Sequence, residues 1–346
     1  MDKEHLRVLV KMAIQKQGYQ ADLNHIDVSS ITDLSYFFVD HDDSRKSKSN
    51  PRLSEFHGDI SNWDVGRVKD MRGMFRGSAF NGDISQWDVS SVEDMSEMFW
   101  QSDFNQDIGG WNVSNVKSMS SMFAESAFNH PIGAWNISKV EAISNMFAYS
   151  GFNQDLSDWD TSNIEFMGGV FQSCPFNQPL NAWDVSKVRV MISMFEKSEY
   201  NHRLDSWSVG QVYDMSRMFF QSKFNQPLKH WNVGSLVHAT KMFADSAFNQ
   251  DISSWTAPHL RHVREMFASS ACAHLNVFEG LAKLSDIKTS QCLYFYTGSQ
   301  LPRRYHHLKS ASEEELKVFF KSHWLEMKLD PVQESLQEPK RLKVRL

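Results

Sequence analysis

The sequence predicts an α/β repeat solenoid of 24-residue units, each with a short parallel strand and a short helical segment, and three observations carry that expectation. Nine of the eleven tryptophans fall at one interval: Trp63, Trp87, Trp111, Trp135, Trp159, Trp183, Trp207, Trp231 and Trp255. A second aromatic series, Phe75, Phe99, Phe123, Phe147, Phe171, Phe195, Phe219, Phe243 and Phe267, keeps the same interval and is usually preceded by methionine. Within a unit the apolar spacing changes partway. Trp87 and Val89 alternate across Asp88, as in a strand, whereas Val92, Met95, Met98 and Phe99 step by three or four, as on one helix face.

Residues 1–22 predict a helical cap, because Leu6, Leu9, Val10, Ala13 and Ile14 form one stripe that ends near Gly18. An open-ended stack needs such a cover. A membrane-surface helix is the competing reading, and Asp2 and Glu4 dilute the basic face it would need. The array is expected over residues 23–271. It opens with a half-unit, Leu23, Ile26, Val28, Ile31, Leu34, Phe37 and Phe38, in which Ile26 takes the tryptophan place. A polar insert near residues 39–52, carrying His41, Asp42, Asp43, Arg45, Lys46 and Lys48, reads as a surface loop of about thirteen extra residues. In the units that follow, Ser90, Ser114, Ser138, Ser162 and Ser186 precede the helical stripe, where a hydroxyl can cap a helix. Asparagine follows the return-loop aromatic at Asn81, Asn105, Asn129, Asn153, Asn177, Asn201, Asn225 and Asn249, which predicts an internal ladder of amides. Past Phe267 the period fails. Val277, Phe278, Leu281 and Leu284, then Ser312 and Glu315 ahead of Leu316, Phe319, Phe320, Trp324 and Met327, predict a helical cap or small appended domain over 272–330. Residues 331–346 form a basic tail with Lys340, Arg341, Lys343 and Arg345.

A net charge of -6 favours neither nucleic acid nor an anionic membrane as partner. Cys174, Cys272 and Cys292 are too far apart for a disulfide framework or a zinc site and fit a reducing compartment. The first residues lack the unbroken apolar core of a secretory signal, and no stretch reaches the ~20 apolar residues of a spanning helix. The expectation is a cytoplasmic protein, or one exported without a classical signal peptide.

Catalysis in a repeat array should show as a break in the pattern where acid, base or nucleophilic groups replace structural ones. Cys174, beside Pro175, stands where other units have serine, and reads as packing before nucleophile. His259, His262, Cys272 and His274 cluster at the end of the array without a second pair at metal-ligand spacing. Asp83, Asp107, Asp155 and Asp251 recur with the period as turn formers, and Pro131, Pro179, Arg203 and Pro227 at the same place argue against a calcium row. No enzyme activity, cofactor or metal is expected.

Binding residues are sought on two surfaces. If each tryptophan and the following valine point inward, their neighbours point outward. That gives a small, polar, mildly acidic face including Asp64, Asp88, Asp158, Asp160 and Asp184, suited to a basic or hydroxyl-rich partner. Aspartate after tryptophan can equally close an Asx-turn. The second surface is the edge after the helical stripe, where Trp100, Tyr149 and Phe220 replace small or polar residues, as contact aromatics or as packing on a loop. The expected partner is a protein, and the chain itself is expected to be a monomer.

The unit from Phe80 to Phe99, Phe-Asn-x-Asp-Ile-Ser-x-Trp-Asp-Val-Ser-x-Val-x-x-Met-Ser-x-Met-Phe, resembles the BspA-like leucine-rich repeats, also described as mycoplasma lipoprotein-associated repeats of unknown function. The resemblance covers about residues 20–271 and implies a leucine-rich-repeat-like fold and a bacterial adhesion or interaction module, without an enzyme activity. A rival reading makes the array the carrier of an effector or toxin-like activity in residues 272–346.

Overall fold

The computed structural model describes residues 1–40, 51–252 and 254–270. The expected cap or domain over 272–330, the basic tail and most of the insert lie outside the described residues.

Helix α1 spans Lys3–Gln17. Asp2 sets its start by accepting the His5 N–H at 2.8 Å. Gly18 ends it at a φ of 85°, returning its N–H to the Ile14 carbonyl at 2.7 Å. Leu6, Val10 and Ile14 are buried in the same apolar cluster as the first repeat units, so α1 covers that end of the array. Arg7 ties the two together, donating to the Tyr36 carbonyl and lying 5.6 Å from the centre of the Phe37 ring.

Two expectations about the unit need correction. Among the described residues the only other helix is the 3-10 turn Leu53–Glu55, and pairing consists of isolated parallel bridges. Apart from Asp22↔Asp59, the bridges run from Asp33↔Asp70 through Asp70↔Asp94, Asp94↔Ser118 and onward to His238↔His262, inside the stripe assigned to helix, while the tryptophan-valine segment carries none. Hydrogen bonding explains the exchange. The N–H groups of Met95, Glu97, Phe99 and Gln101 reach the carbonyls of Ser118, Ser120, Met122 and Ala124 in the next unit at 2.8 to 3.0 Å. Met98, Trp100 and Ser102 between them donate three residues back, to Met95, Glu97 and Phe99. Glu97 and Gln101 have φ of 58° and 55°, and the equivalent residues of most other units do likewise. A right-handed helix needs negative φ throughout and sends every N–H four residues back. A chain of turns with left-handed residues four apart puts Met95, Met98 and Phe99 on one inner side just as a helix would. Spacing alone does not separate the two.

The core is made of like residues set over one another. Phe99 and Phe123 are 5.7 Å apart with nearly parallel rings, Phe104 and Phe128 are 6.4 Å apart, and the two phenylalanine series interleave at 4.1 Å between Phe99 and Phe104. Every repeat tryptophan is nearly buried, and its indole Nε1 donates to a carbonyl of the preceding unit. Trp87 bonds Ile60 at 3.1 Å, Trp111 bonds Ile84 at 3.1 Å, and the series runs to Trp255 on Leu228 at 2.9 Å. These bonds span 27 residues, whereas that of Trp63 to the Leu23 carbonyl spans 40. The difference, 40 less 27, is 13, the length expected for the insert. The half-unit around Leu23 therefore sits where a full unit would, and the insert leaves this bonding undisturbed.

The asparagines also join unit to unit. Asn81 Oδ1 accepts the Asn105 N–H, Asn105 accepts that of Asn129, and so on to Asn249, at 2.8 to 3.1 Å. The ladder runs along the outside of the array rather than within it, since Asn81 through Asn201 are exposed. Gln106, His130, Gln154, Gln178 and His202 reinforce it from the next position, each reaching the carbonyl of the preceding unit's asparagine.

Candidate interaction surfaces

The residues beside the tryptophans are exposed, and the aspartates among them have a local task. Asp64, Asp88, Asp160 and Asp184 accept the backbone N–H two residues on, from Gly66, Ser90, Ser162 and Ser186, at 2.9 to 3.2 Å. Asn112 and Asn136 do the same. These are Asx-turns. The serines expected to cap a helix are instead the donors of these turns. The same geometry recurs earlier in the unit, where Asp83, Asp107 and Asp155 accept from Ser85, Gly109 and Ser157. The turn role does not withdraw the carboxylates from solvent: one oxygen is held and the side chain remains exposed. Hydrogen bonds from the Ser90 and Ser162 hydroxyls and N–H groups hold Asp88 and Asp160 below the usual carboxylate range, so both stay charged at neutral pH. Asp158, one position before Trp159, is exposed as well.

The three edge aromatics have three different environments. Trp100 is half-buried, with the Arg76 guanidinium 3.9 Å above its ring and its Nε1 donating to Glu125 at 3.2 Å; Arg76 also pairs with Glu97 at 2.7 Å. Phe220 is buried beside Ala244 and Ala268, under the Arg217 guanidinium at 4.2 Å, which takes it out of the exposed set. Tyr149 alone stands clear, 54% exposed. Arg217 also holds Glu196, which is only 3% exposed, with two bonds at 2.5 and 2.9 Å. Burial opposes its charge, but hydrogen bonds from Arg217, Ser193 and Gln172 prevail and hold the carboxyl below its ordinary value.

A third surface was not found by reading individual residues. Phe166, Ile192 and Tyr213 are 43%, 37% and 44% exposed, side by side on the bridge face. Their signal is visible only down the register of the bridges: Asp70, Asp94 and Ser118 give way to Ala142, Phe166 and Val190, then return to Asp214, His238 and His262.

Groups with reactive chemistry are placed as follows. Cys174 is buried, its Sγ 3.2 Å from the Phe152 carbonyl, and burial pushes the thiol up to about 11. His262 stacks on His238 at 4.3 Å. Among the described residues no group of three or more histidine, cysteine or acidic side chains could hold a metal ion, and no helix is long and apolar enough to cross a membrane.

One family model, described as Mycoplasma protein of unknown function, DUF285, matches the chain five times, over residues 2–101, 44–151, 101–201, 126–223 and 170–279. No curated protein and no solved structure matches the chain.

Proposed function

Because the chain belongs to the DUF285 family, of unknown function and here present as tandem copies, we propose that it is a non-enzymatic scaffold that binds a protein partner along its repeat surface. In this reading the units form a leucine-rich-repeat-like solenoid of BspA type, and the partner is basic or rich in hydroxyl groups. One observation carries the proposal. Asp64, Asp88, Asp160 and Asp184 each have one carboxylate oxygen fixed by a backbone N–H while the side chain faces solvent. Acceptors fixed before binding lose little freedom when a partner arrives, which is what makes a repeated polar face an efficient docking surface. The spacing is set by the repeat, so a partner with regularly placed donors would meet several of them at once.

The test separates charge from turn. Asn112 and Asn136 form the same turn without a charge, so replacing all four aspartates by asparagine keeps the backbone and removes four charges. Cross-linked capture from the native cell is then compared between parent and variant, with circular dichroism confirming equal folded content. A protein captured by the parent and lost by the variant supports the proposal. Equal capture by both removes the aspartate face from the reading.

A further inference from the structure

Phe166, Ile192 and Tyr213 are exposed in three successive units of the bridge face, and half-buried Val190 joins them into one apolar patch. A bare apolar patch with a polar rim marks a contact site. Two carboxylates bound this one along the array: Glu141 in the unit before Phe166 and Asp214 in the unit after Val190. Neither makes an ion pair among the described residues. Lys117, which acts on Glu141, is held by Glu93 at 2.8 Å, and one Asp214 oxygen accepts only the Ser216 N–H at 2.8 Å. Between them Glu165 and Arg189 pair with each other at 3.3 Å. The rim is therefore left with two uncompensated negative charges three unit steps apart, roughly 14 Å.

The complementary pattern stands in the basic tail, outside the described residues. Arg341, Leu342, Lys343, Val344, Arg345 and Leu346 alternate strictly between basic and apolar. Extended, such a segment has one apolar side and one basic side, and Arg341 and Arg345 stand four residues apart, roughly 13 Å. We propose that residues 340–346 seat on this patch within the same chain, extended along the array. Leu342 and Val344 lie against Phe166, Val190 and Ile192, and the long arms of Arg341 and Arg345 reach over the rim to Glu141 and Asp214. The aspartates beside the tryptophans match only the charge of the tail, whereas the patch matches its charge and its alternation together. Overall charge favours the same return: residues 1–270 carry 24 basic and 33 acidic side chains, residues 271–346 carry 12 and 9.

A tethered segment needs little area to hold. Phe166 lies four unit steps from the last bridge residue, His262, roughly 19 Å, and the 69 residues 271–339 are ample to span it. Tethering supplies an effective concentration on the order of a millimolar or below. A contact too weak to join separate molecules therefore closes within one chain. A partner would reach the patch only by displacing the tail. The seat leaves the aspartates beside the tryptophans open and does not rest on the function proposed above.

Zero-length carbodiimide cross-linking of the full chain tests the proposal, because it joins lysine amines to carboxylates that touch them. Peptide mass spectrometry of the monomer band should find Lys340 or Lys343 linked to Glu141 or Asp214. Ile192→Glu, at an exposed position, should abolish these links with an unchanged circular dichroism spectrum. Leu342→Glu combined with Val344→Glu should do the same while leaving the sequence of the array intact, and should raise the fluorescence of an apolar dye above that of the parent. Links that persist in either variant would show attraction by charge alone. Links confined to a dimer band would put a second copy on the patch, and links to Asp88 or Asp160 would place the tail on the other face. Any of these, no link from the tail, or an unchanged dye signal would overturn the proposal.

Discussion

Replacing Trp159 separates the two ways in which a tryptophan joins neighbouring units. The residue is 3% exposed, stacks on Trp183 at 6.2 Å, and donates its Nε1 to the Ile132 carbonyl at 3.1 Å. Trp159→Ala removes the ring and should cost about 3–5 kcal/mol for lost burial and the cavity. The Ile132 carbonyl keeps the Trp135 N–H at 3.1 Å, so losing the indole donor adds only the net worth of one hydrogen bond, about 0.5–1.5 kcal/mol. Trp159→Phe keeps most of the ring and removes the donor, so its cost should be about 1–2 kcal/mol, from that one bond and the smaller ring. Urea unfolding followed by circular dichroism gives both values, provided the slope with denaturant stays that of the parent; a lower slope would mean that the array no longer unfolds as one unit. A phenylalanine variant as stable as the parent would refute the claim that indole-to-carbonyl bonds fasten one unit to the next.

Three further outcomes follow from single residues. Gly77 has a φ of 63° and open space where a Cβ would sit, so Gly77→Ala should lose about 1–2 kcal/mol from backbone strain alone, while Gly110→Ala, also in open space, should be nearly neutral in the same urea titration. Glu196 has a folded pKa below its unfolded value, so the stability it supplies is present above the ordinary carboxylate range and lost as pH falls through the folded value. Thermal melts should accordingly show a smaller acid-induced drop in Glu196→Gln, which starts from a lower melting temperature at neutral pH. The Cys174 thiol, buried and pushed up to about 11, should resist a thiol-specific reagent at pH 8 and react at once in denaturant; rapid reaction in the folded state would contradict its placement.

How far the sequence could be read depended on which property a spacing encodes. Period and register were legible because the same residue must meet its own copy in the next unit: Trp183 over Trp159 and Phe99 over Phe75 leave no freedom in length, and even the offset of thirteen residues before Trp63 was recoverable. Local geometry was not. Met95, Met98 and Phe99 satisfy a helix and a chain of left-handed turns equally, and what decides is whether Glu97 and Gln101 adopt positive φ. Nothing in the chemistry of a glutamate or a glutamine announces this, although glycine at the same places in the first full unit, Gly73 and Gly77, is the residue such a backbone prefers.

The candidate surfaces divide along the same line. Asp88 and Ser90 form an Asx-turn that could be foreseen from the pair itself, since both ends of the bond lie two residues apart. Phe220 could not be judged exposed or covered without Arg217 and Lys241, because its cover joins a residue three places back to one from the next unit. The apolar run at Phe166, Val190 and Ile192 is hidden for a related reason: each residue is unremarkable within its unit, and the patch exists only once the units are set in parallel register. In a repeat the core is written along the chain and the surface is written across it. A change from aspartate to phenylalanine at one register position therefore leaves the repeat intact while altering what the face can bind. That freedom to vary one surface without disturbing the indole bonds beneath it or the amide ladder along the outside is what would let arrays of this kind differ in their partners while sharing one core.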